Sequence, residues 1–191
     1  MPESKIILPE IVVFAGPNGS GKSTVTKLAK VITPYINADD IKRSLNCSDM
    51  EAAVIAENMR EKAVSEKHGF TFETVLSTPR NLTLLQKAKE KGFFIRCIYV
   101  LTSSPLVNEL RIKARVAKGG HDVPREKIFS RYEKALVLLP ELVKLCDVMH
   151  IYDNTNMPTR IFKKRKDKYF IWENNFWNKS QIEKLTGIVF D

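Results

Sequence analysis

Nine consecutive residues, Gly16-Pro17-Asn18-Gly19-Ser20-Gly21-Lys22-Ser23-Thr24, constrain this chain more than any other feature. They satisfy the spacing G-x-x-x-x-G-K-[ST] without mismatch. That spacing has meaning only between a strand and a helix, and the flanks supply both. Glu10–Ala15 is a short apolar run that reads as a buried strand, and residues 23–31 read as a helix. Glycines let such a loop turn tightly and bring backbone N–H groups against phosphate oxygens. The helix that begins there adds unpaired N–H groups and the positive end of its dipole. Lys22 sets a point charge at the β- and γ-phosphates, and the Ser23 hydroxyl can ligate magnesium. ATP and Mg2+ are therefore the expected cofactors. The competing readings are a glycine-rich turn with an exposed lysine, and a site that binds nucleotide without turnover.

The rest of the chain alternates strand and helix signals, which predicts a parallel sheet with crossover helices on both faces. Strands are expected at Tyr35-Ile36-Asn37, at residues 70–74, at residues 93–101 and at residues 148–152. Helices are expected over residues 49–67, closed by Gly69, and over 81–91, stopped by Gly92. Others are expected over 106–117, 124–139 and 180–185. Ala52, Ala53, Ile55, Ala56, Met59 and Val64 suit one buried face of the first of these. Residues 160–173 alternate basic and aromatic side chains and predict a hairpin. The reading is α/β, a P-loop NTPase of kinase type. It is one domain over residues 1–191, with residues from about 156 to 191 as a hairpin-and-helix appendage.

Two acidic sites follow where a phosphoryl-transfer enzyme places them, beyond the carboxyl ends of strands. Asp39, in Asp39-Asp40, could accept the proton of an acceptor hydroxyl. Alternatively it is the N-cap of a short helix over residues 40–45. Glu73 closes an apolar strand and needs a partner, either a bound hydroxyl or water. Arg115 and Arg131 flank the basic Lys118-Gly119-Gly120-His121 segment. They could form a lid that meets charge on the transferring phosphoryl group, or a solvated basic face.

Composition narrows the partners. Thirty-one Lys+Arg against 22 Asp+Glu give a net charge of +9, which favours anionic ligands such as nucleotides, phosphorylated metabolites or nucleic acid. The tail, with Lys163-Lys164-Arg165-Lys166 followed by Tyr169, Phe170, Trp172, Phe176 and Trp177, admits single-stranded nucleic-acid binding. It is better read as a hairpin with a charged turn and its aromatics packed on the core. Three scattered cysteines, Cys47, Cys97 and Cys146, suggest neither a disulfide framework nor a zinc site. No apolar run is long enough to cross a membrane, and residues 1–10 lack the apolar stretch of a secretory signal. A reducing cytoplasm is the expected compartment.

These pieces, in order along residues 10–155, resemble the zeta toxin family of P-loop kinases. The resemblance rests on the loop of residues 16–24, Asn37-Ala38-Asp39-Asp40-Ile41, and Phe72-Glu73-Thr74-Val75-Leu76-Ser77. Arg115-Val116, Gly119-Gly120-His121-Asp122-Val123-Pro124, Arg131-Tyr132 and Tyr152-Asp153-Asn154-Thr155 complete it. The family's best-known members phosphorylate the sugar of UDP-N-acetylglucosamine with ATP and magnesium, and an antitoxin protein restrains them. The resemblance implies that Lys22 is the P-loop lysine, Asp39 the base that activates the sugar hydroxyl, and Glu73 the carboxylate beside the acceptor. Arg115 and Arg131 would contact phosphate. The alternatives are a kinase of nucleic-acid ends or of an antibiotic, and a nucleic-acid-binding protein switched by ATP.

Overall fold

The structure, a computed structural model, describes residues 8–26 and 29–190. Its strands are β1 (Glu10–Ala15), β2 (Tyr35–Ile36), β3 (Phe70–Thr74), β4 (Phe94–Leu101), β5 (Val148–Asp153), β6 (Thr159–Arg165) and β7 (Lys168–Ile171). They form one sheet in the order β2-β3-β1-β4-β5-β6-β7. The first five are parallel, and β6 and β7 extend the sheet antiparallel. The helices are α1 (Lys22–Thr26), α2 (Ala38–Leu45), α3 (Asp49–Ser65), α4 (Arg80–Glu90), α5 (Pro105–Val116), α6 (Arg125–Leu145) and α7 (Lys179–Thr186).

The strand β1 reads as continuous apolar sequence because it lies inside the sheet, with Val13 level with Phe72 of β3 and Cys97 of β4. The buried residues of α3, α4, α6 and α7 join one cluster with Ile11, Val13 and Ala15 of β1, so these helices cover one face of the sheet. The first face holds the main core. Ile95, Cys97, Tyr99, Met149, Ile151 and Phe162 pack there against Leu85, Leu139, Leu142, Val143 and Ile182 of the helices. On the second face Val12 and Phe14 are buried, but exposure grows outward from β4: Arg96 is exposed, and His150, Tyr152 and Lys163 are half-buried.

The hairpin is fastened at both faces. A β-bulge lies between β5 and β6, where Ile151 faces Phe162 but Tyr152 faces Arg160. The extra residue sends both Ile161 and Phe162 into the core. It also lets Arg160 and Lys163 share the second face. Lys164, on the core side, is buried, and its ammonium donates to the carbonyls of Val143 (2.7 Å) and Lys144 (3.1 Å). It thereby satisfies carbonyl groups in the last turn of α6, which have no intrahelical partner.

Several expectations are corrected. The helix α3 stops before Gly69: Glu66 caps it and Lys67 takes the left-handed conformation, at φ 56°. Its buried residues are Ala52, Ala56, Ala63 and Val64, whereas Ala53 and Met59 face solvent. The helix α6 does not end at Leu139 but runs through Pro140 to Leu145. The complete burial of Leu142 and Val143 offsets the interrupted hydrogen bond. The helix expected over residues 23–31 is described only over Lys22–Thr26; residues 27 and 28 lie outside the described residues, and Lys30 and Val31 are not helical. In the tail, Tyr169 and Trp177 pack inward as expected, but Phe170 (46% exposed), Trp172 (39%) and Phe176 do not. A strand alternates its side chains between faces, so Tyr169 and Phe170 cannot both reach one core.

Candidate active site

The loop that follows β1 is held from three sides. The Gly16 N–H donates to Thr74 at 3.2 Å, and a side chain at Gly16 would collide with the Val100 carbonyl of β4. Gly19, at φ +77°, leaves only 2.6 Å between a Cβ and the Asn108 carbonyl of α5. Gly21, at φ +95°, sits against the Asn154 amide, which donates to the Ser20 carbonyl at 2.7 Å. Asn154 is itself buried and anchored through its N–H to Leu101. The three glycines are thus required both by backbone conformation and by lack of space.

Lys22 opens α1, and its ammonium folds back onto the carbonyls of Gly16 (2.7 Å) and Pro17 (3.1 Å). Desolvation lowers its pKa to about 8, opposed by Glu73, reinforced by Arg115 and opposed again by Asp39. Those three side chains, from three separate elements, therefore lie within electrostatic reach of one ammonium.

Glu73, at the end of β3, has one carboxylate oxygen doubly engaged. Its Oε1 accepts from the Tyr35 hydroxyl at 2.5 Å and from Thr26 Oγ1 at 3.1 Å. Its Oε2 accepts no hydrogen bond among the described residues. Burial and this hydrogen bond push the Tyr35 phenol upward, so it stays a donor at neutral pH.

Asp39 lies in the first turn of α2 and is not its cap. Asn37 is the N-cap, accepting from the Asp39 N–H at 2.8 Å. Asp40 is held locally in an ion pair with Arg43. The Asp39 carboxylate is exposed and accepts nothing among the described residues, which leaves it available to a ligand.

The two arginines arrive from opposite ends of the basic segment. Arg115 donates to the His121 carbonyl at 2.6 Å, closing a turn in which Gly119 has φ +81°. Arg131, on α6, reaches Asn18 of the loop at 3.3 Å.

Sequence reasoning missed Tyr35 and Thr26 as supports of Glu73. It also gave no role to Asn154, or to the network in which Thr102 donates to buried Asn108 (2.6 Å) and Tyr132 donates to Thr102 (2.6 Å). Only polar residues beside strand ends hinted at these. A groove of about 560 Å³ between α3 and α4, lined by Lys62, Leu84 and Lys87 among others, shares no residue with this constellation. Chemistry, not volume, locates the site.

The donor set fits a divalent hard cation. Among the described residues no three His, Cys, Asp or Glu gather to hold a metal. The exposed Ser23 hydroxyl is a hard oxygen donor, and Mg2+ characteristically completes its shell with nucleotide phosphates and water.

A parallel sheet whose first strand runs into this loop, with a lysine, two carboxylates and two arginines converging on it, defines a P-loop kinase. The family model described as Zeta toxin matches residues 3–175, and the chain belongs to that family. It is an ATP-dependent kinase. An uncharacterized protein of Haemophilus influenzae is 31% identical over 127 residues, which is 63% of this chain and 91% of that protein. A solved chain from the PezAT chromosomal toxin–antitoxin system of Streptococcus pneumoniae shares the fold with a TM-score of 0.60. It is 14% identical and covers 97% of this chain and 86% of its own length. The AvrRxo1-ORF1:-ORF2 complex with ATP contains a similar chain, with a TM-score of 0.69 and 14% identity, over 95% of this chain and 64% of that one.

Proposed function

We propose that this kinase transfers the γ-phosphoryl group of ATP to a sugar hydroxyl of a nucleotide sugar such as UDP-N-acetylglucosamine, and that an antitoxin protein restrains it. The observation that carries the substrate reading is the pair Asp39 and Glu73, set about the P-loop lysine with carboxylate oxygens unused by the protein. Two such acceptors suit a neutral polyhydroxyl acceptor and would repel a bare phosphate. The antitoxin is supported by the family and by the toxin–antitoxin system to which a structural neighbour belongs.

In this reading Asp39 takes the proton of the attacking hydroxyl as the new O–P bond forms and the bond to ADP breaks. Glu73, oriented by Tyr35 and Thr26, accepts a hydrogen bond from a neighbouring hydroxyl. Lys22 leaves the loop carbonyls for the β- and γ-phosphates. Arg115 and Arg131 meet charge on the moving phosphoryl group, where positioning and electrostatics dominate. Ser23 would hold magnesium, which would supply neutralisation of the charge on the phosphates.

The test is incubation with ATP, magnesium and a panel of sugar nucleotides, read by mass spectrometry. A product 80 Da heavier, on the order expected for one added phosphoryl group, is the expected result. No product from the panel, with ready phosphorylation of a 5′-hydroxyl oligonucleotide, would reassign the acceptor.

A further inference from the structure

The second face of the sheet, from β4 to β7, plays no part in the kinase chemistry. Its side chains follow from register. Ile98, His150, Lys163 and Phe170 lie in one cross-strand row. Tyr152 and Arg160 lie in the next, extended by Trp172, whose N–H continues the ladder to Ile161. The same residues form stacked pairs at i, i+2: His150 with Tyr152 at 6.3 Å between ring centroids, and Phe170 with Trp172 at 6.4 Å. Cations are interleaved. The Arg160 guanidinium lies 4.4 Å from the Trp172 ring centre and Lys163 lies 5.8 Å from that of Phe170.

Three observations say what covers such a face. Aromatic planes with basic groups between them give bases a stacking surface and phosphates a counter-charge. Burial, with Arg160, Lys163 and Arg96 nearby, pushes His150 down to about 4, so its ring is neutral and its surroundings carry the positive charge. Finally, His150 Nδ1 and Arg160 Nε are buried without hydrogen-bond partners among the described residues, although the face around them is partly open. An apolar helix laid here would bury the cations unpaired. A second copy would set like charges opposite each other.

We propose that this open face of β4–β7 binds single-stranded nucleic acid, with Trp172, Phe170 and Tyr152 stacking bases and Arg160 and Lys163 meeting phosphates. It is a binding surface separate from the P-loop and does not depend on which acceptor the kinase uses. Its partner follows the backbone charge and the π-faces of bases, so it shows little sequence preference.

The experiment uses the full chain and 5′-hydroxyl, fluorescently labelled 12-mer oligo(U) and oligo(dT), read by anisotropy. The chain has two tryptophans. Trp177 is buried and Trp172 is exposed, so stacking is read directly as quenching of Trp172. Binding is expected to weaken with salt at a slope of about −1.4, as for the two phosphate contacts of Arg160 and Lys163. Phe170→Ala and Trp172→Ala should each weaken it roughly five- to hundredfold. Trp172→Phe keeps a ring and should bind almost normally while the quenching is lost. Lys163→Gln should flatten the salt slope. Lys87→Glu with Lys91→Glu, on the helical side of the sheet, should change little. Lys22→Ala should bind as the parent does, which separates this surface from the kinase reading.

Absence of binding overturns the proposal. So does equal loss in the Lys87/Lys91 variant, loss in Lys22→Ala, or Trp172 quenching by phosphatidylserine vesicles without any by oligonucleotide. A dimer dispersed by Phe170→Ala would assign the face to a second copy instead. Circular dichroism identifies any variant that fails to fold, and for those Trp172→Phe and Lys163→Gln decide.

Discussion

Asn154 emerges as a strut under the nucleotide loop, and a double-mutant cycle with Gly21 measures it. Gly21 has φ +95°, and a methyl group there would run into the Asn154 amide. Placing a Cβ at positive φ costs about 1–2 kcal/mol. Driving Asn154 away breaks its bond to the buried Ser20 carbonyl and costs about 1–2 kcal/mol more. Gly21→Ala should therefore lose about 3 kcal/mol of stability, or about 9 °C in melting temperature for a chain of this size. Asn154→Ala orphans the Ser20 carbonyl and should cost about 2 kcal/mol. In the double variant the collision has nothing left to hit, and only the backbone strain and the orphaned carbonyl remain. The total should be about 3–4 kcal/mol rather than the additive 5, a coupling of about 1–2 kcal/mol. Urea unfolding followed by circular dichroism gives the four stabilities, and titration with ATP should show the same non-additivity in affinity. Additivity within about 0.5 kcal/mol would refute the contact and the role of Asn154.

Three further outcomes follow from the site. Asp39→Asn should lower kcat about a hundredfold or more while leaving the Kd for ATP nearly unchanged, since a lost general base acts on chemistry rather than binding; equal effects of Asp40→Asn would assign the base wrongly. Arg115→Ala and Arg131→Ala should each cut kcat/KM more than nucleotide affinity, measured by coupled assay beside calorimetry. Lys22, lowered to about 8 in the free protein, sheds its proton as pH rises through that value, so ATP should bind progressively more weakly above pH 8. Binding at pH 8.5 should take up a proton, visible as a buffer-dependent calorimetric enthalpy; no uptake would contradict the desolvated lysine. The stability sign is opposite. Between about 8 and 10.5 the unfolded chain holds the proton that the folded lysine has lost, so stability from this group rises with pH in that window.

The sequence made the loop legible because its constraint is local: strand, turn and helix start fall within fifteen consecutive residues. The order of the elements was legible too, since apolar strands and amphipathic helices differ in period. What escaped it depends on neighbours. Pro140 reads as a stop in isolation, but the buried Leu142 and Val143 beyond it hold the helix together. Phe170 and Tyr169 look alike in sequence, and only the pairing of β7 with β6 separates exposed from buried. Asn37 and Asp39 are both good caps, and the choice falls on the residue with extended backbone, φ −127°. Thr26 and Tyr35 meet at Glu73 because three elements converge there, which no local pattern encodes.

The three walls of the nucleotide loop also set an order of events during synthesis. The loop is synthesised before its partners, which are Val100, Asn108 and Asn154. The strand β1 has no neighbour to pair with until β3 and β4 have followed it out. Non-local pairings of this kind are slow to form and leave apolar surface waiting. In β1 that waiting surface is Ile11–Ala15, completely enclosed in the finished fold except for Val12 at 3%. A nascent chain that has not reached Asn154 therefore carries the whole nucleotide-binding motif without the support that shapes it. Catalytic competence arrives only after the five parallel strands of the sheet have been made.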